Sequence, residues 1–298
     1  MVMKEICLPE GTVLKNRYEL VSVIGMGGFG ITYQAVDRLL DCYVAVKEFF
    51  PQERVTRKVR KSCKVEFPKE DKSLEVVEAC LQNFRHEANI LEAVKNVPYI
   101  ARLKDRFEEN GTEYIILTLV QGKSLSAYMK KRGGKLPAKE VLFLLQNTFE
   151  TLAELHNIGF IHRDISPGNL VLSEDNILYL IDFGSATSFS GKEEFQSKQV
   201  FQHKGLEAPE YSQPDKQGPW TDIFSLCATI VYLITGEGIV GAKDRQRYDR
   251  IPQLLMRSAL SSRQQNALMK GLSLETNRRF TDIGQLYAGL YGETLTVK

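Results

Sequence analysis

The chain of 298 residues holds only five cysteines, Cys7, Cys42, Cys63, Cys80 and Cys227. They are scattered, odd in number and form no C-x-x-C pair. That pattern argues against a metal centre or a disulfide framework, and for reduced thiols in a cytoplasmic protein. No apolar run approaches the roughly 20 residues that a membrane helix needs. The longest, LCATIVYLIT at 226–235, reads as a buried core helix. The N-terminal stretch lacks the apolar core of a signal peptide, because Glu5, Pro9, Glu10 and Gly11 interrupt it. Internal repeats and low-complexity tails are also absent. Lysine and arginine total 39 against 37 acidic residues, a net charge of +2, which removes any argument for wholesale nucleic-acid binding. What is left is an ordinary globular composition, 43% hydrophobic and 26% charged, on a chain long enough for one large domain or two lobes with a cleft.

The most informative stretch is VIGMGGFGITYQAVD at 23–37, where Gly25, Gly27 and Gly30 spell G-x-G-x-x-G. A dinucleotide site would need a helix opening directly after the glycines. Here Ile31, Thr32, Tyr33 and Val36 favour a strand, and the preceding RYELVSVI also reads as one. The glycines therefore belong at the bend of a β-hairpin. Glu48, 18 residues beyond Gly30, is a weak match to the acidic residue of a dinucleotide fold. No G-K-[ST] follows, so a Walker A loop is excluded.

YVAVKEFF is the next strand. Lys47 ends its alternating apolar run and is costly there unless paired. An acidic partner appears in LQNFRHEANILEAV, where Phe84, Ala88, Leu91 and Val94 recur at helical spacing and Glu87 lies beside them. Further on, His162, Arg163, Asp164 and Asn169 form H-R-D-x-x-x-x-N. Asp182, Phe183 and Gly184 form D-F-G, and Ala208, Pro209 and Glu210 form A-P-E. Each motif alone is weak; the set, in this order and at these spacings, is specific.

From about Tyr18 to about Leu290 the sequence resembles protein kinases, and most of all bacterial serine/threonine kinases of the eukaryotic type. The resemblance implies an α+β, bilobal fold. A small antiparallel-sheet lobe with one key helix spans 1–122, including a long insertion at 49–80, and a larger helical lobe spans 123–298. It also implies ATP and Mg²⁺, with Mn²⁺ as the alternative ion, and a protein hydroxyl as acceptor. Lys47 would grip the α- and β-phosphates, held by Glu87. Asn169 and Asp182 would ligate the metal, and Asp164 would act as the base. Ile24, Gly25, Gly27, Gly28, Gly30 and Thr32 would cover the nucleotide. Ala45 and Val171 would sandwich the adenine, with Leu117 as gatekeeper and Thr118 and Val120 in the hinge. Asp222, in the D-x-x-S-L element, would brace the catalytic loop, His162 and Phe183 would be regulatory or structural, and Glu210 would pair with Arg279, Arg278 being the adjacent candidate. LPAKEVLFLLQNTFETLAELHNIG, with an early proline and a terminal Gly159, reads as a long helix. Small-molecule kinases usually lack A-P-E and D-x-x-S-L, which ranks them low. A nucleotide-binding pseudokinase acting as a scaffold is the alternative function.

Four features depart from the compact pattern or carry regulation. Between Lys47 and Glu87 lie 39 residues, with a basic cluster of Arg54, Arg57, Lys58, Arg60, Lys61 and Lys64. Val55, Val59 and Val65 make this read as a solvated hairpin or loop with charged outer faces. Arg163 implies sensitivity to a phosphate on the activation segment, for which Thr187, Ser188, Ser190 and Ser197 are acceptors, and autophosphorylation would follow. Ser166 stands where serine/threonine kinases usually carry a lysine near the transferring phosphate. His203 replaces the threonine that would bridge to that lysine, leaving His203 or Lys204 as the compensating cation.

Overall fold

A computed structural model describes residues 6–28, 30–57, 62–68, 71–189, 206–239 and 241–296. Of the positions expected to matter, Lys58, Val59, Arg60, Lys61, Ser190, Ser197, His203 and Lys204 lie outside them. The chain divides into two units, one of residues 1–95 and 101–119, the other of 96–100 and 120–298.

In the first unit, β-branched and aromatic residues build a six-stranded antiparallel sheet. Its strands are β1 (Val13–Leu14), β2 (Tyr18–Met26), β3 (Gly30–Asp37), β4 (Cys42–Phe49), β5 (Leu103–Glu109) and β6 (Thr112–Thr118), in the order β1-β2-β3-β4-β6-β5. Alternation is strict along β3, where Ile31, Tyr33, Ala35 and Asp37 are buried. The glycine segment joins β2 to β3 as a hairpin, with Met26 opposite Ile31. Two register shifts in β2 bend it. Helix α1 (Asp71–Ala93) packs Ala88, Ile90 and Leu91 into the unit. It starts about ten residues before the expected periodic run, so residues 71–80 of the presumed insertion are helical.

The solvated-hairpin expectation holds only in part. Thr56 and Glu66 form an antiparallel bridge, and Arg54 and Lys64 are exposed. Val55 and Val65, however, join the hydrophobic core. Arg57 corrects the reading of a solvated cation, because it is 2% exposed. Its guanidinium pairs with Glu48 and donates from Nε to the Ile6 carbonyl at 2.7 Å. Glu48 also accepts from Tyr33 Oη at 2.9 Å and Tyr114 Oη at 2.7 Å. Burial pushes both phenols well above their ordinary range, with Glu48 adding to it. Glu48 is therefore a structural carboxylate rather than a ribose ligand.

The second unit is built on α3 (Ala138–Asn157) and α4 (Pro219–Thr235), following α2 (Leu125–Lys131). Pro137 sits at the cap of α3, and Gly159 beyond its end has φ +88°. Apolar LCATIVYLIT is the body of α4, buried nearly throughout. Among the described residues four shorter helices follow: α5 (Ala242–Arg247), α6 (Ile251–Met256), α7 (Ser262–Gly271) and α8 (Ile283–Tyr291). Phe149 of α3 meets Tyr287 and Tyr291 of α8 edge-on. Two small sheets carry the loops that matter: β7 (Gly122–Ser124), β9 (Leu170–Ser173) and β10 (Leu178–Leu180) in the order β10-β9-β7, and β8 (Phe160–Ile161) with β11 (Thr187–Ser188). Gly122 thus pairs within the second unit. A Cβ there would lie 2.0 Å from the Leu172 carbonyl, so only glycine permits this approach. Among the described residues no helix is long and apolar enough to cross a membrane.

Candidate active site

In the first unit, the hairpin and β4 place the residues expected to meet a nucleotide. Gly30 is required by packing, since its Cβ would fall 2.5 Å from the Glu48 carbonyl. Gly27 and Gly28 face open space, so packing does not require glycine there. Gln52, which sequence reasoning passed over, donates to the Gly27 carbonyl at 2.7 Å and ties the loop down. Thr32 stands opposite Lys47 in the β3–β4 register. Lys47 Nζ donates to Glu87 Oε1 at 2.6 Å, with side chains 21% and 5% exposed. Ala45 and Leu117 are buried neighbours across β4 and β6. Thr118 ends β6, and its amide donates to the Arg102 carbonyl at 2.9 Å. Ile24 is half-exposed on β2.

In the second unit, the segment from His162 to Asn169 is held from several sides. Asp222, in the first turn of α4, accepts from the amides of His162 at 2.8 Å and Arg163 at 2.7 Å. It also accepts from His156 Nε2 at 2.9 Å. Burial opposes ionisation of this fully enclosed carboxyl, but the donors from His156 and His162 outweigh it and hold the group below the usual carboxylate range. An ionised Asp222 fixes the His156 proton on Nε2 and leaves Nδ1 buried without a partner. His156 looked like one more residue of a helix in the sequence; its aspartate lies 66 positions away.

Thr229 of α4 donates to the Ile165 carbonyl at 2.9 Å, and the Ser126 amide to that of Pro167 at 2.9 Å. His162 accepts the Asp164 amide on Nδ1 at 3.3 Å, while Nε2 lies 3.2 Å from the Ile181 carbonyl. These two contacts select the tautomer protonated on Nε2. Phe183 is fully buried, edge-on to His162 with ring centres 4.8 Å apart.

The loop brings its functional pair together. Asn169 Nδ2 donates to Asp164 Oδ2 at 2.7 Å and to its carbonyl at 3.0 Å, so the Asn169 amide oxygen is turned away from Asp164. That oxygen and the Asp182 carboxylate are both hard donors of the kind Mg²⁺ takes. Asp182 has φ +65°, a conformation that costs energy in a non-glycine residue. Val171 sits buried on β9, and Val120 also belongs to the second unit. Ser166 is 7% exposed, inside the loop rather than on its surface.

Glu210 and Arg279 form a buried bidentate pair at 2.7 and 2.9 Å, reinforced by Thr221. Arg278 is instead exposed and pairs with Glu275, which decides between the two arginines. Two acceptor expectations need correction. Thr187 and Ser188 are buried in β11, paired with Ile161 and Phe160, and are not presented for phosphorylation.

The protein kinase domain family matches residues 18–282. The serine/threonine-protein kinase F of Synechocystis sp. is 30% identical over 230 residues, which cover 76% of this chain and 45% of that protein. Serine/threonine-protein kinase PknA of Mycobacterium tuberculosis is 31% identical over 225 residues, 72% of this chain and 46% of that one. A probable serine/threonine-protein kinase of Clostridium perfringens is 27% identical over 230 residues, 76% of this chain and 30% of that one. The chain thus spans less than half the length of these relatives. A solved structure titled PpkA-294 apo form superposes with TM-score 0.82 and 26% identity, covering 96% of this chain and 99% of that one. With its α+β, two-lobe architecture and its ordered motifs, this chain belongs to the protein kinase domain family.

Proposed function

We propose that the chain is an ATP- and Mg²⁺-dependent serine/threonine protein kinase acting in the cytoplasm on a protein hydroxyl. The observation that carries this reading is the Asp164–Asn169 pair, set by the Asp222 brace. Lys47, held by Glu87, binds the α- and β-phosphates, and the open-faced Gly27 and Gly28 let backbone amides approach them. Ala45, Leu117, Thr118, Val120 and Val171 take the adenine. Asn169 and Asp182 would hold Mg²⁺, which neutralises charge on the phosphate oxygens. Asp164 orients the acceptor hydroxyl and receives its proton as the oxygen attacks the γ-phosphorus and ADP departs.

Ser166 leaves the transferring phosphate one donor short, which typically costs about 10²–10³ in rate. Lys204 or His203 remains the proposed compensator, and Ser166 is also what a scaffold reading would rest on. Incubation with γ-labelled ATP, Mg²⁺ and a basic protein tests the proposal. Label should appear on the acceptor or the chain itself, and Asp164→Asn should abolish it. A wild type that transfers nothing while Ser166→Lys does would establish the scaffold.

A further inference from the structure

Arg163 directly precedes the proposed base, and its side chain is spent inside the protein. The residue is 3% exposed. Its φ of +68° lies in the left-handed region, which non-glycine residues occupy at a cost. Asp222 holds its amide, but its Nε is buried without a hydrogen-bond partner. The guanidinium faces the ring of Tyr211, whose centre lies 4.7 Å from Cζ, and the Tyr211 hydroxyl and the Asp222 carboxylate also favour its charge. A buried cation needs compensation, and the electron-rich face of an aromatic ring supplies it. Tyr211 is itself fixed. Its amide donates to the Ala208 carbonyl at 3.0 Å, and Gln217 Nε2 donates to the Tyr211 carbonyl. The preceding residue, Glu210, is locked by Arg279 and Thr221.

We infer that Tyr211 is a positioning residue: its ring takes the place of an anion opposite Arg163, so that Asp164 is set without a phosphate on the chain. Among the described residues the Arg163 guanidinium is taken up by the Tyr211 stack. The inference rests on the phosphotransfer reading, so its test includes a readout that needs no turnover. The full chain is treated with a nonspecific phosphatase and assayed with γ-labelled ATP beside Tyr211→Phe, Tyr211→Leu, Arg163→Met and the Arg163→Met/Tyr211→Leu pair. Hydrogen exchange at the amides of Arg163 and Asp164 is followed on the same samples.

Treated wild type should keep its kcat, and Tyr211→Phe, which retains the ring, should stay within about threefold of it. Tyr211→Leu and Arg163→Met should each lose about tenfold in kcat at unchanged KM for ATP, with both amides exchanging faster, and the double variant should be no worse. Arg163→Met keeps the test open should Tyr211→Leu fail to fold. Unchanged kcat and exchange in Tyr211→Leu overturn the inference. So do multiplying losses, a Tyr211→Phe loss as large as that of Tyr211→Leu, or a wild type silenced by the phosphatase. A wild type silent before treatment fails the kinase reading instead, and exchange in Tyr211→Leu then decides the stack alone.

Discussion

Among the described residues, Glu48 and Asp222 are the most deeply buried carboxylates of their respective units, and the two are compensated by different means. Glu48 in the first unit faces a full cation, Arg57, and two tyrosine hydroxyls. Asp222 in the second makes no ion pair with an arginine or lysine among the described residues; two loop amides and His156 satisfy it. The first arrangement ties distant chain segments into a core, since Arg57 also holds the Ile6 carbonyl and Tyr33 the Leu8 amide. The second shapes a backbone. Glu48 therefore serves stability, and Asp222 serves the geometry of the catalytic loop.

Adjacent residues sharpen that contrast most strongly. Side chains of Lys47 and Glu48 project to opposite faces of β4, so their removal should have opposite signatures. Lys47→Met should cost about 10³-fold in kcat/KM and, because Lys47 is partly exposed, less stability than loss of Glu48. Adding Glu87→Gln should cost almost nothing more, because the pair acts as one unit. Losses that multiply would show the pair is not formed in the active state.

Glu48→Gln strands a buried guanidinium and should cost about 3–5 kcal/mol in denaturant unfolding. Pairing Glu48→Met with Arg57→Met should return a good part of that, since replacing both partners of a buried pair is often neutral. Full additivity of the two single losses would break the comparison.

Asp222→Asn should be milder in stability, about 1–3 kcal/mol, and more visible in kcat. Its pH signature follows from a lowered folded pKa. The stabilisation is complete above the ordinary carboxyl value near 4 and disappears as pH falls through the lower folded value. Wild type should thus lose stability below about pH 4 more steeply than Asp222→Asn. Parallel acid-unfolding curves would contradict the assignment.

Residues were legible in the sequence where chemistry imposes a motif. Lys47, Glu87, Asp164, Asn169, Asp182, Glu210 and Arg279 stand out through the order of their motifs, and the structure pairs Lys47 with Glu87, Asn169 with Asp164 and Arg279 with Glu210; strands β2 to β4 follow from β-branched alternation. What stayed hidden depends on partners remote along the chain. Arg57 looked solvated because five other cations surround it in sequence, and its burial is decided by Glu48 and the N-terminal segment. His156 and Tyr211 acquire roles only through Asp222 and Arg163. Thr187 and Ser188 looked like loop acceptors until β11 paired with β8, a contact between segments 26 residues apart.

Calorimetric titration of Mg·ATP tests the division of labour most directly, using wild type, Asp164→Asn and Asp182→Asn. The account predicts that Asp164→Asn binds with nearly wild-type affinity yet transfers nothing, because Asp164 acts on the acceptor hydroxyl. Asp182→Asn should lose both binding and transfer, because it removes a metal ligand. Equal loss of binding in the two variants would contradict the assigned roles.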